Sequence, residues 1–204
     1  MNDLEFSAFL VSRVCHDLVG PLGAVVNGLE VLEDERDVAM RADALKIVTS
    51  SAAQALARLQ FMRIAFGAAG SAGAELDLGE VGRLISGLLE GGKVTLTWEP
   101  PHVNWPKDWA KLLMNAALIA ADCLPRGGAV RIETGAESSV PGFKIVGTGQ
   151  AAKVSEGMER ALKGEATDHD ARGVQPVLTW RLAQGINARL TIAAREGQVE
   201  IVAG

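Results

Sequence analysis

Apolar side chains at Phe6, Leu10, Val14, Leu18, Leu22, Val25, Leu29 and Leu32 recur every three or four positions, the spacing of one face of an α-helix. The pattern predicts a long helix over 3–33. Asp34-Glu35-Arg36-Asp37 reads as a short polar turn. A second helix, over 38–66, carries Leu45, Val48, Ala52, Leu56, Leu59, Met62 and Phe66 along one face. Joined by so short a turn, the two should pack as an antiparallel hairpin. Two helices cannot enclose a core, so the remaining Leu, Val and Ala surface needs a partner. That partner is either a second copy, completing a four-helix bundle about a two-fold axis, or the chain's own C-terminal half. The small-residue stretch Gly67-Ala68-Ala69-Gly70-Ser71-Ala72-Gly73-Ala74 reads as a flexible linker between domains and favours the second copy.

The second half changes period. Residues 77–90 read as a helix with Leu78, Val81, Leu84, Ile85, Leu88 and Leu89 on its apolar side, and 93–98 alternate as a strand. Pro106 opens a helix running to about Leu124. Strands follow at 130–134 and 143–146, helices at 151–164 and 175–187, and a last hairpin at 188–194 and 198–202 turned by Glu196-Gly197. The expectation is an α+β chain: a helical hairpin over 1–68, dimerising into a four-helix bundle, then an α/β sandwich over 75–204.

Composition narrows the class. Hydrophobic residues make up 48% of 204 residues, enough for a packed core. No run of apolar residues approaches the roughly 18–20 needed to span a bilayer. Asp3 and Glu5 stand where a signal peptide would be basic, so a cytoplasmic protein with no membrane contact is expected. The net charge of −5 and the lack of a basic patch argue against nucleic acid. Two cysteines, Cys15 and Cys123, are too few for a disulfide framework, and no CxxC or HxxxH spacing indicates a metal site.

The candidate chemistry lies in Arg13-Val14-Cys15-His16-Asp17-Leu18-Val19-Gly20-Pro21-Leu22. At about 100° per residue from Val14, His16 falls near 200°, opposite the apolar face. Asp17 can accept a hydrogen bond from one imidazole nitrogen, fixing the tautomer and leaving the other nitrogen as a nucleophile. Pro21 removes a backbone donor and crowds the Asp17 carbonyl, so the helix should bend there. Gly20, Gly23 and Asn27 continue the His16 stripe. Two helical glycines cost roughly 1 kcal/mol each relative to alanine. They either clear the approach of another protein or tolerate the bend at Pro21. His16 and Asp17 are thus the candidate catalytic pair, and Arg13, Gly20, Gly23 and Asn27 the candidate partner contacts. His102 and His169 read as ordinary surface residues, and Trp98, Trp105, Trp109 and Trp180 as packing residues.

His16-Asp17-Leu18-x-x-Pro21-Leu22 resembles the H-box of two-component sensor histidine kinases. Cys15-His16-Asp17-Leu18, Pro21-x-Gly23-Ala24 and Asn27-Gly28-Leu29-Glu30-x-Leu32 together resemble the ChpT-type histidine phosphotransferases of alphaproteobacteria. The order of elements after the linker resembles the ATP-binding (Bergerat or GHKL-type) domain of the kinases. Lys111-Leu112-Leu113-Met114-Asn115-Ala116-Ala117 is similar to the kinase N-box, whose Asn helps bind Mg-ATP, and Gly147-Thr148-Gly149 to the glycines of the first glycine box. The box's adenine-binding Asp is replaced by Ile145, which cannot accept that hydrogen bond. Pro176 removes a backbone donor in Gly173-Val174-Gln175-Pro176-Val177, where the second box should lie. The intervening loop has shrunk to a few acidic residues around Asp168-His169-Asp170. The domain therefore reads as kinase-derived in shape and unable to bind ATP, with Asn115 read as a locally bonded helix residue.

The resemblance implies a phosphorelay. His16 would accept a phosphoryl group from the receiver aspartate of a CckA-type hybrid kinase and pass it to CtrA- or CpdR-like response regulators. The chain itself would bind no cofactor, Mg²⁺ being carried by the partner receiver. Two other readings remain: a divergent ATP-dependent histidine kinase, and a non-catalytic dimeric signalling adaptor in which His16 is incidental.

Overall fold

The first helix begins at a reciprocal capping box. The Asn2 side chain accepts from the Glu5 amide, and the Glu5 carboxylate accepts from the Asn2 amide. From there α1 runs Asp3–Asp34, with Pro21 inside it. Asp37 caps the next helix, α2 (Val38–Ala65), by accepting from the Met40 amide. The computed structural model describes residues 2–67, 74–135, 141–165 and 173–204. Most of the linker and the segment around Asp168-His169-Asp170 lie outside the described residues.

The two helices pack along a seam of small or slim side chains. On α1 the seam holds Val14, Leu18, Pro21, Val25, Gly28 and Leu32, all buried or half-buried; on α2 it holds Ala44, Val48, Ala55 and Met62. Gly28 sets the spacing, because a Cβ there would lie 2.6 Å from Val48 Cγ2 and 3.4 Å from the Ala44 carbonyl oxygen. This differs from the apolar faces expected from periodicity. Leu22 and Leu29 on α1, and Leu45, Leu56 and Leu59 on α2, are 48–55% exposed. With Leu4, Val11, Val19, Val26 and Val38 they form an exposed apolar strip. On α1 this strip is turned about 60–140° from Val14, roughly a quarter turn from the seam. The helix has two apolar faces, and eight positions at mixed spacing do not separate them. For the same reason α1 departs from the expectation about spans. An 18-residue window of it reaches a mean hydropathy of 1.4, enough by length and composition to cross a membrane.

Beyond the hairpin come β1 (Glu75–Asp77), α3 (Leu78–Leu89), β2 (Val94–Trp98), β3 (Asn104–Pro106), α4 (Lys107–Asp122), β4 (Gly128–Thr134) and β5 (Phe143–Thr148). They are followed by α5 (Glu156–Leu162), α6 (Val174–Gly185), β6 (Leu190–Arg195) and β7 (Gln198–Ala203). The main sheet has the order β2-β4-β5-β7-β6, with β2 and β4 parallel and the other pairs antiparallel. The central strands alternate. Val130, Ile132, Ile145, Val199 and Ile201 point inward, while Arg131 and Lys144 face water and pair with Glu99 and Glu200 at 3.3 Å and 2.7 Å. The periodic elements lie within a few residues of expectation. The exceptions are α5, which starts only at its Ser155 cap, and the ribbon β1–β3, whose three-residue strands are too short to show a period.

The centre of the sandwich is α4, buried from Ala110 to Ala120 between the sheet and the other helices. Its core does not stop at the domain edge. Phe61, Met62 and Ala65, the last turns of α2, are at most 3% exposed and belong to the same cluster as Leu112, Ile119 and Ile145. Between the two partners first considered for the hairpin, the chain's own C-terminal half covers the end of α2 and leaves the strip bare.

Gly28→Val should lower stability by about 1–3 kcal/mol, because an added side chain meets Val48 in a closed seam. Urea unfolding at fixed protein concentration, followed by circular dichroism, measures it.

Candidate functional site: an oriented histidine on the hairpin

Pro21 defines the site's local structure. In an α-helix the amide of residue 21 would bond the carbonyl of Asp17, and proline has no such amide. The orphaned carbonyl is met from the other helix, where Arg58 Nη1 donates to the Asp17 oxygen at 3.0 Å. The carbonyl that Pro21 leaves without a helical donor is thus satisfied by a cation of α2.

On this turn of α1 His16 stands with its side chain 64% exposed, while Asp17 beside it is only 13% exposed. His16 Nδ1 lies 3.1 Å from Asp17 Oδ1. A carboxylate only accepts, so Nδ1 carries the proton of this contact and the Nε2 lone pair points away, unprotonated in the neutral ring. Asp17 Oδ2 accepts from Arg13 Nε at 2.8 Å. Arg13, expected among the partner contacts, has its guanidinium turned inward, 11% exposed. Its Nη2 reaches to 3.6 Å from Asp122 Oδ2 at the end of α4. Gly20 and Asn27 are exposed and Gly23 is half-buried. A Cβ at Gly20 or Gly23 would meet nothing within 4 Å, so neither glycine is required by packing within the chain.

Arg13, Asp17, Gln54 and Arg58 form the hairpin wall of a cleft of about 330 Å³, closed on the other side by Glu90, Lys93 and Asp122. Sequence reasoning missed Arg58 and Asp122. Pro21 already marked the Asp17 carbonyl as lacking a donor, but nothing in the local sequence says which residue of α2 supplies it.

The kinase-like positions have internal partners. Asn115 is fully buried, and its amide donates to the Ala65 carbonyl at 3.0 Å and to Lys111 at 2.9 Å, so its bonding is local on one side and reaches α2 on the other. Lys111 donates to the Gly67 carbonyl at 2.7 Å. Burial pulls the Lys111 pKa down. Ala65 is the last residue of α2 and Gly67 lies just past its C-cap, where carbonyls lack helical partners, so the N-box-like residues cap that helix. Ile145 is fully buried in the sheet opposite Ile132 and Ile201. A Cβ at Gly149 would lie 2.5 Å from the Gly127 carbonyl, so this glycine serves a close backbone approach. Gln175 and Pro176 are buried in the first turn of α6. Burial pushes the Cys123 thiol up to about 12, which removes it from thiolate chemistry. Among the described residues no group of three His, Cys, Asp or Glu side chains could hold a metal ion.

An exposed, carboxylate-backed histidine on a helical hairpin, set against a two-layer sandwich of this kind, is the layout of two-component histidine kinases and phosphotransferases. The family model for the histidine phosphotransferase C-terminal domain matches residues 78–198. Protein phosphotransferase ChpT of Brucella abortus (strain 2308) is 38% identical over 196 residues, 95% of this chain and 92% of that protein. The chain therefore belongs to the histidine phosphotransferase family, and phosphoryl transfer through histidine is its chemistry. A solved bacterial phosphotransferase superposes with a TM-score of 0.89 at 35% identity, over 100% of this chain and 98% of that one. The histidine kinase domain of the Erythrobacter litoralis EL346 blue-light activated histidine kinase shares the fold. Its TM-score is 0.51 at 16% identity, over 89% of this chain and 94% of that one.

Arg58→Met should cost about 1 kcal/mol or more, since it leaves the Asp17 carbonyl without its donor. Arg58→Lys, which keeps a cation in reach, should recover part of the loss. Paired denaturation curves of the two variants give the comparison.

Proposed function

We propose that this protein relays a phosphoryl group between receiver domains, with His16 as the phosphoacceptor and Nε2 as the attacking atom. The observation that carries this reading is the 3.1 Å contact between His16 Nδ1 and Asp17, which ties up one ring nitrogen and presents the other to solvent. In the forward step Nε2 attacks the phosphorus of an aspartyl phosphate. The N–P bond forms as the acyl phosphate P–O bond breaks, and the donor's carboxylate leaves. The second receiver's aspartate then attacks the same phosphorus, and His16 is the leaving group. Both receivers supply their own Mg²⁺ and lysine. This chain contributes an oriented lone pair and a surface to dock on. The family resemblance points to a CckA-like hybrid kinase as donor and to CtrA- or CpdR-like response regulators as acceptors.

The receiver docks over His16, Gly20, Gly23 and Asn27, with the C-terminal domain as a second contact. The open space around both glycines supports clearance over tolerance of the bend at Pro21. The exposed strip from Leu4 to Leu59 supports a homodimer, a second hairpin completing a four-helix bundle. In this reading the apolar surplus of α1 is buried in the bundle rather than in lipid, and the protein is cytoplasmic like its receivers. The engagement of Asn115 with Ala65, and the buried Ile145, support a domain that does not bind ATP. The hairpin over 1–68 then carries phosphotransfer and dimerisation, and 75–204 orients it.

His16→Gln should fold normally and take no label from a phosphorylated receiver, whereas the wild type acquires acid-labile, base-stable label. Label persisting on the variant would overturn the assignment. Mg-ATP in place of the receiver should label neither protein, and label on the wild type would favour the kinase reading. Gly23→Leu should keep or raise the melting temperature, leucine being the better helix former, yet slow transfer at least about tenfold by holding the receiver away. Unchanged transfer would remove this face from docking. Light scattering at micromolar concentration should return twice the 21.4 kDa chain mass. A single-chain mass would leave the strip without its proposed cover.

A further inference from the structure

Part of what holds the acid behind His16 comes from outside the hairpin. Asp17 turns one oxygen to His16 and the other to Arg13 Nε, at 3.1 Å and 2.8 Å. Arg13 bridges onward, its Nη2 lying 3.6 Å from Asp122 Oδ2. Asp122 is the last residue of α4, the helix whose Lys111 and Asn115 hold the end of α2. One buried helix of the C-terminal domain therefore touches the hairpin at both the α2 terminus and the side chain that orients Asp17.

We propose that Asp122 is a positioning residue for phosphotransfer. Acting through Arg13, it holds Asp17 in the orientation that fixes the His16 tautomer, so the C-terminal domain adjusts the phosphoacceptor itself. The geometry of the guanidinium makes this work. It is a rigid planar fork, so the direction of Nη2 constrains where Nε points. Arg13 and Asp17 are 11% and 13% exposed, so their interaction is little screened and a change in one is felt by the other. Asp122 is 43% exposed, and its own ion pair is weak. The expected effect is accordingly a few-fold change in rate with the fold intact. Glu90 lines the same cleft, so Arg13 has another carboxylate to swing toward when Asp122 is neutralised. The inference rests on His16 being the phosphoacceptor.

The test uses the full chain and Asp122→Asn, Asp122→Glu, Arg13→Gln and the Asp122→Asn/Arg13→Gln double variant. Imidazole ¹⁵N–¹H correlation spectra report the His16 tautomer without any transfer. Single-turnover transfer from a phosphorylated receiver gives a saturated rate and a half-saturating concentration. Asp122→Asn should raise the fraction of His16 protonated at Nε2 and lower the saturated rate by about two- to fivefold, with half-saturation unchanged. Asp122→Glu should restore most of the loss. In the Arg13→Gln background Asp122→Asn should add nothing. The proposal is overturned if Asp122→Asn leaves the tautomer as in the wild type, if it changes only half-saturation, or if its effect is equally large without Arg13. Absence of label on wild-type His16 would sink the functional reading alone, because the tautomer measurement still decides whether Asp122 orients the ring.

Discussion

The site depends on a helix turn that cannot satisfy itself. Pro21 denies the Asp17 carbonyl its helical donor, and Arg58 crosses from the second helix to supply one. That bond ties α2 to the turn bearing His16, and it leaves the Asp17 carboxylate for His16 and Arg13. A residue whose backbone oxygen and both carboxylate oxygens are all engaged has little freedom to rotate. The imidazole beside it inherits that order while remaining exposed. A phosphotransfer histidine needs this combination, since the nucleophile must be reachable by a large partner and must present one defined lone pair.

In the sandwich domain the residues at kinase-like positions are engaged in bonds within the chain. Asn115 and Lys111 stand at N-box-like positions, and both donate to carbonyls at the end of α2. Uncapped carbonyls at a buried helix end are costly, so these bonds weld the hairpin to the domain. Gly149 is required by the approach of Gly127. These residues thus make structural contacts within the chain. They also make α4 a support shared by the end of α2 and the Arg13 side chain of α1.

The exposed strip on α1 and α2 is the other feature that a single chain leaves open. Five leucines about half exposed on one surface lose hydrophobic stabilisation that a partner would return, at roughly 25 cal/mol per Å² covered. The seam between α1 and α2 is lined mostly by Ala, Val, Gly and Pro, with Leu18, Leu32 and Met62. Five further leucines lie on the outer surface, where they have room to interdigitate with another helical pair. A dimer through this strip, proposed above, would leave the His16 stripe of α1 facing away from the bundle.

The sequence by itself determined the long elements and the chemistry carried by neighbours along the chain. Helical spacing placed α1, α2, α3 and α4, alternation placed the main strands, and the adjacency of His16 and Asp17 on a face opposite Val14 marked the histidine. These are local properties, set by side-chain period and by contacts within one or two turns. The tertiary structure decided whatever needs residues far apart in the chain to meet. It separated the inner seam from the outer strip of α1, which share one periodic pattern and differ only in what packs on them. It supplied Arg58 to a carbonyl that Pro21 had orphaned 41 residues earlier, turned Arg13 inward toward Asp122, and gave Asn115 a partner at Ala65, 50 residues away. Such bonds leave no trace in periodicity, because any of several cations or amides along α2 and α4 has the right chemistry. Only the packing angle of the helices brings one of them within 3 Å.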